Sequence, residues 1–171
     1  MSETSLFERP LYRTRQFLTA LRPTVEGTER TDAAELLGER LWPLFESMKV
    51  RDQRHSLDVL WMLKSQGRHS EDLLMAALLH DVGKGRLAGA NVRLWHRVAY
   101  VLARASAPWM LNRASNGRGG LGALHQHAER GAVVAEALGA SASVVDLIRR
   151  HHEDDPHDEP LRILRLADDS C

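Results

Sequence analysis

The segment that most constrains this chain is an apolar helical run, Ala-Ala-Leu-Leu at residues 76–79, which ends directly in His80 and Asp81. A glycine turn that carries a lysine follows at residues 82–85. A buried helix face that stops on an imidazole and a carboxylate indicates a metal site, because both side chains ligate Fe, Mn or Zn. The alternative is an ordinary helix end, with His80 in the last turn and Gly83 as a left-handed cap.

Composition narrows the classes of protein that the chain can represent. Its 171 residues fit one domain, and lysine plus arginine equal aspartate plus glutamate at 23 each. This balance argues against a nucleic-acid polymer or an anionic membrane as the partner. The single cysteine, Cys171, excludes disulfides and thiolate zinc sites. With no leader and no apolar run long enough to span a bilayer, we expect a cytoplasmic protein without a transmembrane segment.

Hydrophobic periodicity predicts an all-α fold, because residues 40–81 lack the alternation that strands require. The expected organisation is an N-terminal segment, 1–30, that packs on a single helical bundle, 31–171. Pro43 is predicted either to kink the first helix or to begin the next one. The predicted helices run from Thr31 or Asp32 to about Leu41, and over 52–66, 70–81, 93–105, 124–138, 144–152 and 160–170.

Three further expectations concern a buried face, a surface and a loop. Val133, Val134 and Ala137 are predicted to face the core. The arginine-rich apolar stretch 93–113 admits a membrane-surface or partner-helix role, although core-facing amphipathic helices are commoner. The glycine-rich segment 115–120 reads as a loop that is either disordered or a lid over a site.

Histidines and aspartates recur where apolar stripes end. An ionisable group at the edge of a core costs free energy unless it is paired or coordinated, so the repetition predicts convergence on one point. A carboxylate has two oxygens and can bridge two metal ions. The residues concerned are His55, His80, Asp81, His127, His151, His152 and Asp168.

This pattern resembles the HD-domain superfamily of metal-dependent phosphohydrolases over about residues 50–170. His55, His80, Asp81 and Asp168 match the minimal ligand set of that superfamily. His127 matches the mid-chain histidine of its two-metal members better than His125 does.

Two segments also resemble the HD-GYP branch of that superfamily, namely His-Asp-Val-Gly-Lys at 80–84 and His-His-Glu at 151–153. The Gly-Tyr-Pro segment of the branch is missing, since residues 154–157 read Asp-Asp-Pro-His. Arg51 stands where some members carry a glutamate for a third metal. Both departures argue against cyclic di-GMP as the substrate and leave a two-metal site possible.

The resemblance implies a single-domain HD-type bundle that holds two divalent ions, Fe or Mn first, with Zn, Ni or Mg as alternatives. A metal-activated hydroxide would attack a nucleotide, a cyclic nucleotide or a small phosphoester. Asp81 and Lys84 are the expected catalytic residues, and Lys84 and Arg54 the expected phosphate contacts. Two alternatives share the ligand pattern: a di-iron oxygenase and a non-catalytic domain that senses nucleotide. The sequence does not predict the oligomeric state.

Overall fold

The computed structural model describes residues 24–67, 69–89, 124, 126–154 and 156–171. Within these ranges the chain forms helices and no strand, so the predicted all-α class is confirmed. None of the described helices is long and apolar enough to cross a bilayer. The elements are α1 (Gly27–Ser47), α2 (Val50–Gln66), α3 (Glu71–Leu79), a 3-10 turn (Val82–Lys84), α4 (His127–Ala137), α5 (Ala142–Arg150) and α6 (Glu159–Ser170).

Several predicted features lie outside the described residues. These are the helix over 93–105, the loop over 115–120 and the whole of the stretch 93–113 that was considered for membrane contact. Most of the predicted N-terminal segment, residues 1–23, lies outside them as well. The division into segment and domain therefore stays a prediction.

Helix α3 occupies the centre of the described fold and packs against α1, α2, α5 and α6. Ser70 begins it by accepting a hydrogen bond from the Leu73 amide, as expected of a helix N-cap. The four residues of its last turn, 76–79, are fully buried. A helix that is apolar on every side is stable only in such a central position, so α3 delivers His80 and Asp81 into the interior.

Helix α1 belongs to the same core, since Ala33, Leu44 and Phe45 are fully buried in one cluster with residues of α3 and α5. The prediction that Thr31 or Asp32 begins this helix was wrong. It begins at Gly27, where Glu26 and Glu29 form a reciprocal capping box. The predicted boundary between residues 30 and 31 therefore falls inside α1.

The break in α1 lies at Gly38, which has a φ of 64°, whereas Pro43 lies inside the helix that follows. Glycine reaches positive φ without the clash that a Cβ would cause, so the chain turns there and not at the proline. The end of α1 is closed by Gln53 of α2. Its amide nitrogen donates to the carbonyls of Phe45 (3.1 Å) and Met48 (3.2 Å).

The predicted inward face of α4 was partly wrong. Val133 and Ala137 are exposed. The buried face of α4 instead contains small residues, Gly131, Ala132 and Ala135. They face the 3-10 turn and α5, and the close approach leaves no room for valine there. Helix α4 also begins at His127, three residues later than predicted.

Candidate metal centre

The ends of several helices place histidines beside each other. His80 follows the last residue of α3, His151 follows the last residue of α5, and His127 is the first residue of α4. Helices α2 and α6 contribute His55 and Asp168. The ligand atoms form two groups, each with all of its atoms within 4.8 Å of one another. The first group is His55, His80 and Asp168, and the second is His127, His151 and His152.

Asp81 lies between the two groups. Its Oδ1 atom is 3.3 Å from His127 Nε2 in the second group and 3.8 Å from His80 Nε2 in the first. The rings of His80 and His151 are also adjacent, with centroids 5.3 Å apart. The structure therefore brings together all seven residues that the sequence nominated as metal ligands, and a single carboxylate joins their two groups.

Three of the histidines are held in the same way, by a hydrogen bond from Nδ1 to the backbone carbonyl three residues earlier. Because Nδ1 must carry the proton to donate, the neutral ring presents Nε2 as an acceptor. The bonds join His80 to Ala77 (2.9 Å), His127 to Leu124 (2.6 Å) and His151 to Ile148 (2.7 Å).

These anchored rings turn their Nε2 acceptors towards one another, and the Nε2 atom of the unanchored His152 lies 3.0 Å from that of His127. The Nε2 atoms of His127 and His151 are 3.2 Å apart, and in the anchored tautomers both carry lone pairs. The Nε2 atom of His80 is buried and has no hydrogen-bond partner. Buried acceptors need a donor or a cation, so this arrangement calls for a proton or a metal ion. The residues thus fit a cationic group in the space between them.

The carboxylates of the site are stabilised in their charged form. Burial opposes ionisation of Asp81, but the charges of Lys84 and His80 outweigh it and hold its pKa well below the usual value. Burial also opposes ionisation of Asp168. There the hydrogen bond from His55 and the charge of the neighbouring His80 prevail, and its pKa is lowered. Both carboxylates are therefore anionic at neutral pH.

Two histidines of the second group, His151 and His152, are kept neutral. Burial, reinforced by the neighbouring His80, lowers the pKa of His151 well below its usual value. Burial and the nearby His127 and Lys84 lower the pKa of His152 to about 4. Burial also disfavours protonation of His80, but the carboxylates of Asp81 and Asp168 outweigh it and raise its pKa. A metal ion needs neutral imidazoles, and His151 and His152 supply them without releasing protons.

The two predicted phosphate contacts have different surroundings. Lys84 lies at the centre, where its Nζ is 2.6 Å from Oδ1 and 2.7 Å from Oδ2 of Asp81. Arg54 is instead engaged by Glu29 of α1 at 2.6 Å and by Asp58 at 3.0 Å. The two carboxylates neutralise this guanidinium, and the structure does not bring it to Asp81 as a free cation.

Sequence reasoning missed the two glycines that position His127. A Cβ on Gly83 would lie 1.8 Å from the His127 carbonyl oxygen, and one on Gly131 would lie 3.1 Å from the Gly83 nitrogen. The 3-10 turn and α4 can therefore meet only at glycine. One feature of the sequence could have indicated them: His127 and Gly131 are four residues apart, so they lie on the same helix face.

Other ionisable residues near these motifs are not brought into the groups. His157 is exposed, and Asp169 points to Arg165, with 3.8 Å between Oδ2 and Nε. His96 and His125 lie outside the described residues.

Comparison with known proteins agrees with this geometry. The sequence model of the HD domain family matches residues 53–170, which includes every residue of the two groups and Asp81. No curated protein and no solved structure matches the chain. HD domains bind divalent metal ions and are commonly hydrolases. The match covers well over half of the chain, from α2 to α6, and the protein therefore belongs to the HD domain family.

Proposed function

We propose that this protein is a metal-dependent phosphohydrolase that cleaves a phosphoester bond in a nucleotide, a cyclic nucleotide or a small phosphoester. The observation that carries the proposal is the pair of Nε2 acceptors of His127 and His151, which face each other at 3.2 Å. Since their Nδ1 protons are committed to backbone carbonyls, a cation between the rings satisfies both acceptors.

The two groups of ligands suggest two ions that share Asp81. One would be held by His55, His80 and Asp168, and the other by the three histidines of the second group. Mixed imidazole and carboxylate ligands suit Fe or Mn, and they also accept Zn, Ni or, less readily, Mg. Bound ions of this kind supply Lewis acidity, which polarises phosphoryl oxygens and lowers the pKa of water towards 7.

The protein's own side chains account for substrate binding. Lys84 places an ammonium beside Asp81, where it can neutralise charge on a phosphate held at the centre. Arg54 is not proposed to bind phosphate, because Glu29 and Asp58 already neutralise the charge of its guanidinium. The balanced charge of the chain favours a small substrate over a polymeric nucleic acid.

The test combines metal analysis with a substrate panel. Protein purified without chelator is assayed for bound metals and for hydrolysis of nucleotides, cyclic nucleotides and small phosphoesters, with Mn²⁺ or Fe²⁺ added. Asp81→Ala is expected to lose both metal and activity. Asp169→Ala is the matched control, because that exposed carboxylate lies one residue beyond Asp168 and outside both groups. An Asp81→Ala protein with full metal content would contradict the ligand assignment.

The same assay, run without oxygen, separates hydrolysis from the oxygenase alternative. A hydrolase cleaves its phosphoester at the same rate under anaerobic conditions, because water is its only co-substrate. Turnover that requires oxygen and is accompanied by a mixed-valence iron signal would replace the proposal with a di-iron oxygenase.

A further inference from the structure

The ammonium of Lys84 covers both oxygens of the carboxylate that joins the two histidine groups. Its Nζ lies 2.6 Å from Oδ1 and 2.7 Å from Oδ2 of Asp81, and the two side chains are 14% and 5% exposed. An ionised carboxylate this deeply buried needs a counter-charge, because an unpaired buried charge strongly destabilises the folded state. Lys84 supplies that charge in the metal-free protein.

A lysine at this position is unusual for this chain, in which nearly all of the basic side chains are arginines. The sequence contains 20 arginines but only three lysines, Lys49, Lys64 and Lys84. A guanidinium forms a rigid two-pronged pair with a carboxylate, whereas an ammonium is a compact point charge on a flexible four-carbon stem. A lysine can therefore leave a carboxylate by rotating its side chain.

The backbone around Lys84 is fixed, which confines any movement to the side chain. Its amide donates to the Asp81 carbonyl at 2.9 Å, and the next amide, of Gly85, donates to Val82 at 2.8 Å. Gly83 is in close contact with the backbone of His127. The ammonium can thus change partner without moving the turn that carries Asp81.

We propose that Lys84 is an exchangeable internal counter-ion, which neutralises Asp81 in the metal-free protein and is released to bind phosphate once metal ions occupy that carboxylate. The inference rests on the proposed function, since it requires Asp81 to be a metal ligand. Metal ions bound to these two oxygens would compete with the ammonium for the negative charge and the lone pairs of Asp81. Metal loading would therefore create the phosphate-binding cation, so that the protein binds substrate only when it is loaded.

Amine labelling with an acetylating reagent tests the release directly in the unaltered protein. Mass spectrometry follows acetylation of Lys84 in metal-free protein, in protein loaded with Mn²⁺, and in loaded protein with inorganic phosphate. We expect labelling of Lys84 to rise on loading by about fivefold or more, the low end of typical coupling between sites. Phosphate should reverse the rise in loaded protein only. Lys49 and Lys64 serve as internal controls that stay constant.

The outcomes distinguish this inference from the proposed function. Stoichiometric binding of Mn²⁺ with no change in Lys84 labelling overturns the inference and leaves the metal site intact. Protein that binds no Mn²⁺, Fe²⁺ or Zn²⁺ overturns the proposed function, and the inference with it.

Lys84→Met provides a second readout that does not depend on activity. Removing the competing cation should tighten the dissociation constant for Mn²⁺ by about tenfold, within the usual range of coupling between two ligands. Lys64→Met is the matched control, since Lys64 lies over the Trp61 ring on the surface of α2. Unchanged or weaker binding of Mn²⁺ by Lys84→Met would overturn the inference. If that variant does not fold, the labelling of the unaltered protein decides alone.

Discussion

Replacing Gly83 with alanine should separate the two halves of the candidate metal centre. The added Cβ would lie 1.8 Å from the carbonyl oxygen of His127 and 2.6 Å from the carbonyl carbon. To reach the 3.4 Å of ordinary contact, the 3-10 turn and the start of α4 must move apart by about 1.6 Å. The obstructing atoms are backbone, so no side-chain rotation can relieve the clash.

The size of the effect follows from what this movement disturbs. Overpacking of a buried site typically costs about 1–3 kcal/mol, and we expect about 3 kcal/mol because the contact is between backbones. The movement also carries His127 away from Asp81, which lies 3.3 Å from its Nε2. Metal sites lose affinity when ligands are displaced by a fraction of an ångström, so the second group should lose its ion.

Urea unfolding of metal-free protein measures the first effect, and metal content after loading with Mn²⁺ measures the second. Gly27→Ala is the matched control, because Gly27 is helical and a Cβ there meets nothing within 4 Å. That change should be neutral or stabilising by up to about 1 kcal/mol. If Gly83→Ala matches Gly27→Ala in stability and in metal content, the close approach of the turn and α4 does not position the site.

Three further predictions follow from other contacts in the described structure. Asp168→Asn should lose the ion of the first group and Asp169→Asn should keep it, as measured by metal content, because only the former carboxylate meets the histidines. Gln53→Ala should cost about 1–3 kcal/mol in urea unfolding, because the buried Met48 carbonyl loses the Gln53 amide as donor and the Phe45 carbonyl is left with the Met48 amide. The pKa of His152 falls from 6.5 to about 4 on folding, so its contribution to stability is complete above pH 6.5 and is lost as the pH falls towards 4. His152→Ala should flatten that fall in the unfolding free energy of metal-free protein, and the exposed His157→Ala should not.

A helix end is predictable where one neighbouring residue decides the cap. Ser70 and Ser141 cap α3 and α5 in this way, each by accepting an amide hydrogen three residues later. Gly67 and Gly139 lie at the ends of α2 and α4 with positive φ, as glycine after a helix allows. Gly83 was the exception. Its φ is not positive, and it lies within a 3-10 turn that continues beyond Asp81.

Features that depend on distant partners were not predictable. Arg54 was expected to contact phosphate, but Glu29 is 25 residues earlier in the chain and nothing local indicates that the two pair. Likewise, the outward position of Val133 reflects how closely α4 approaches the 3-10 turn. Periodicity identifies which residues share a helix face, but it does not identify the face that a small-residue contact will bury.

The candidate centre was predictable because its geometry depends mainly on local structure at the helix ends and only secondarily on contacts between distant parts of the chain. The last carbonyls of a helix have no amide partner within the helix, and they need a donor from elsewhere. Ala77 and Ile148 lie in the last turns of α3 and α5, and their carbonyls accept from Nδ1 of His80 and His151. The same bond closes the helix end and turns Nε2 towards the centre. A histidine directly after an apolar helical run is thus oriented by local structure, and the long-range fold only has to bring the ends of the helices together.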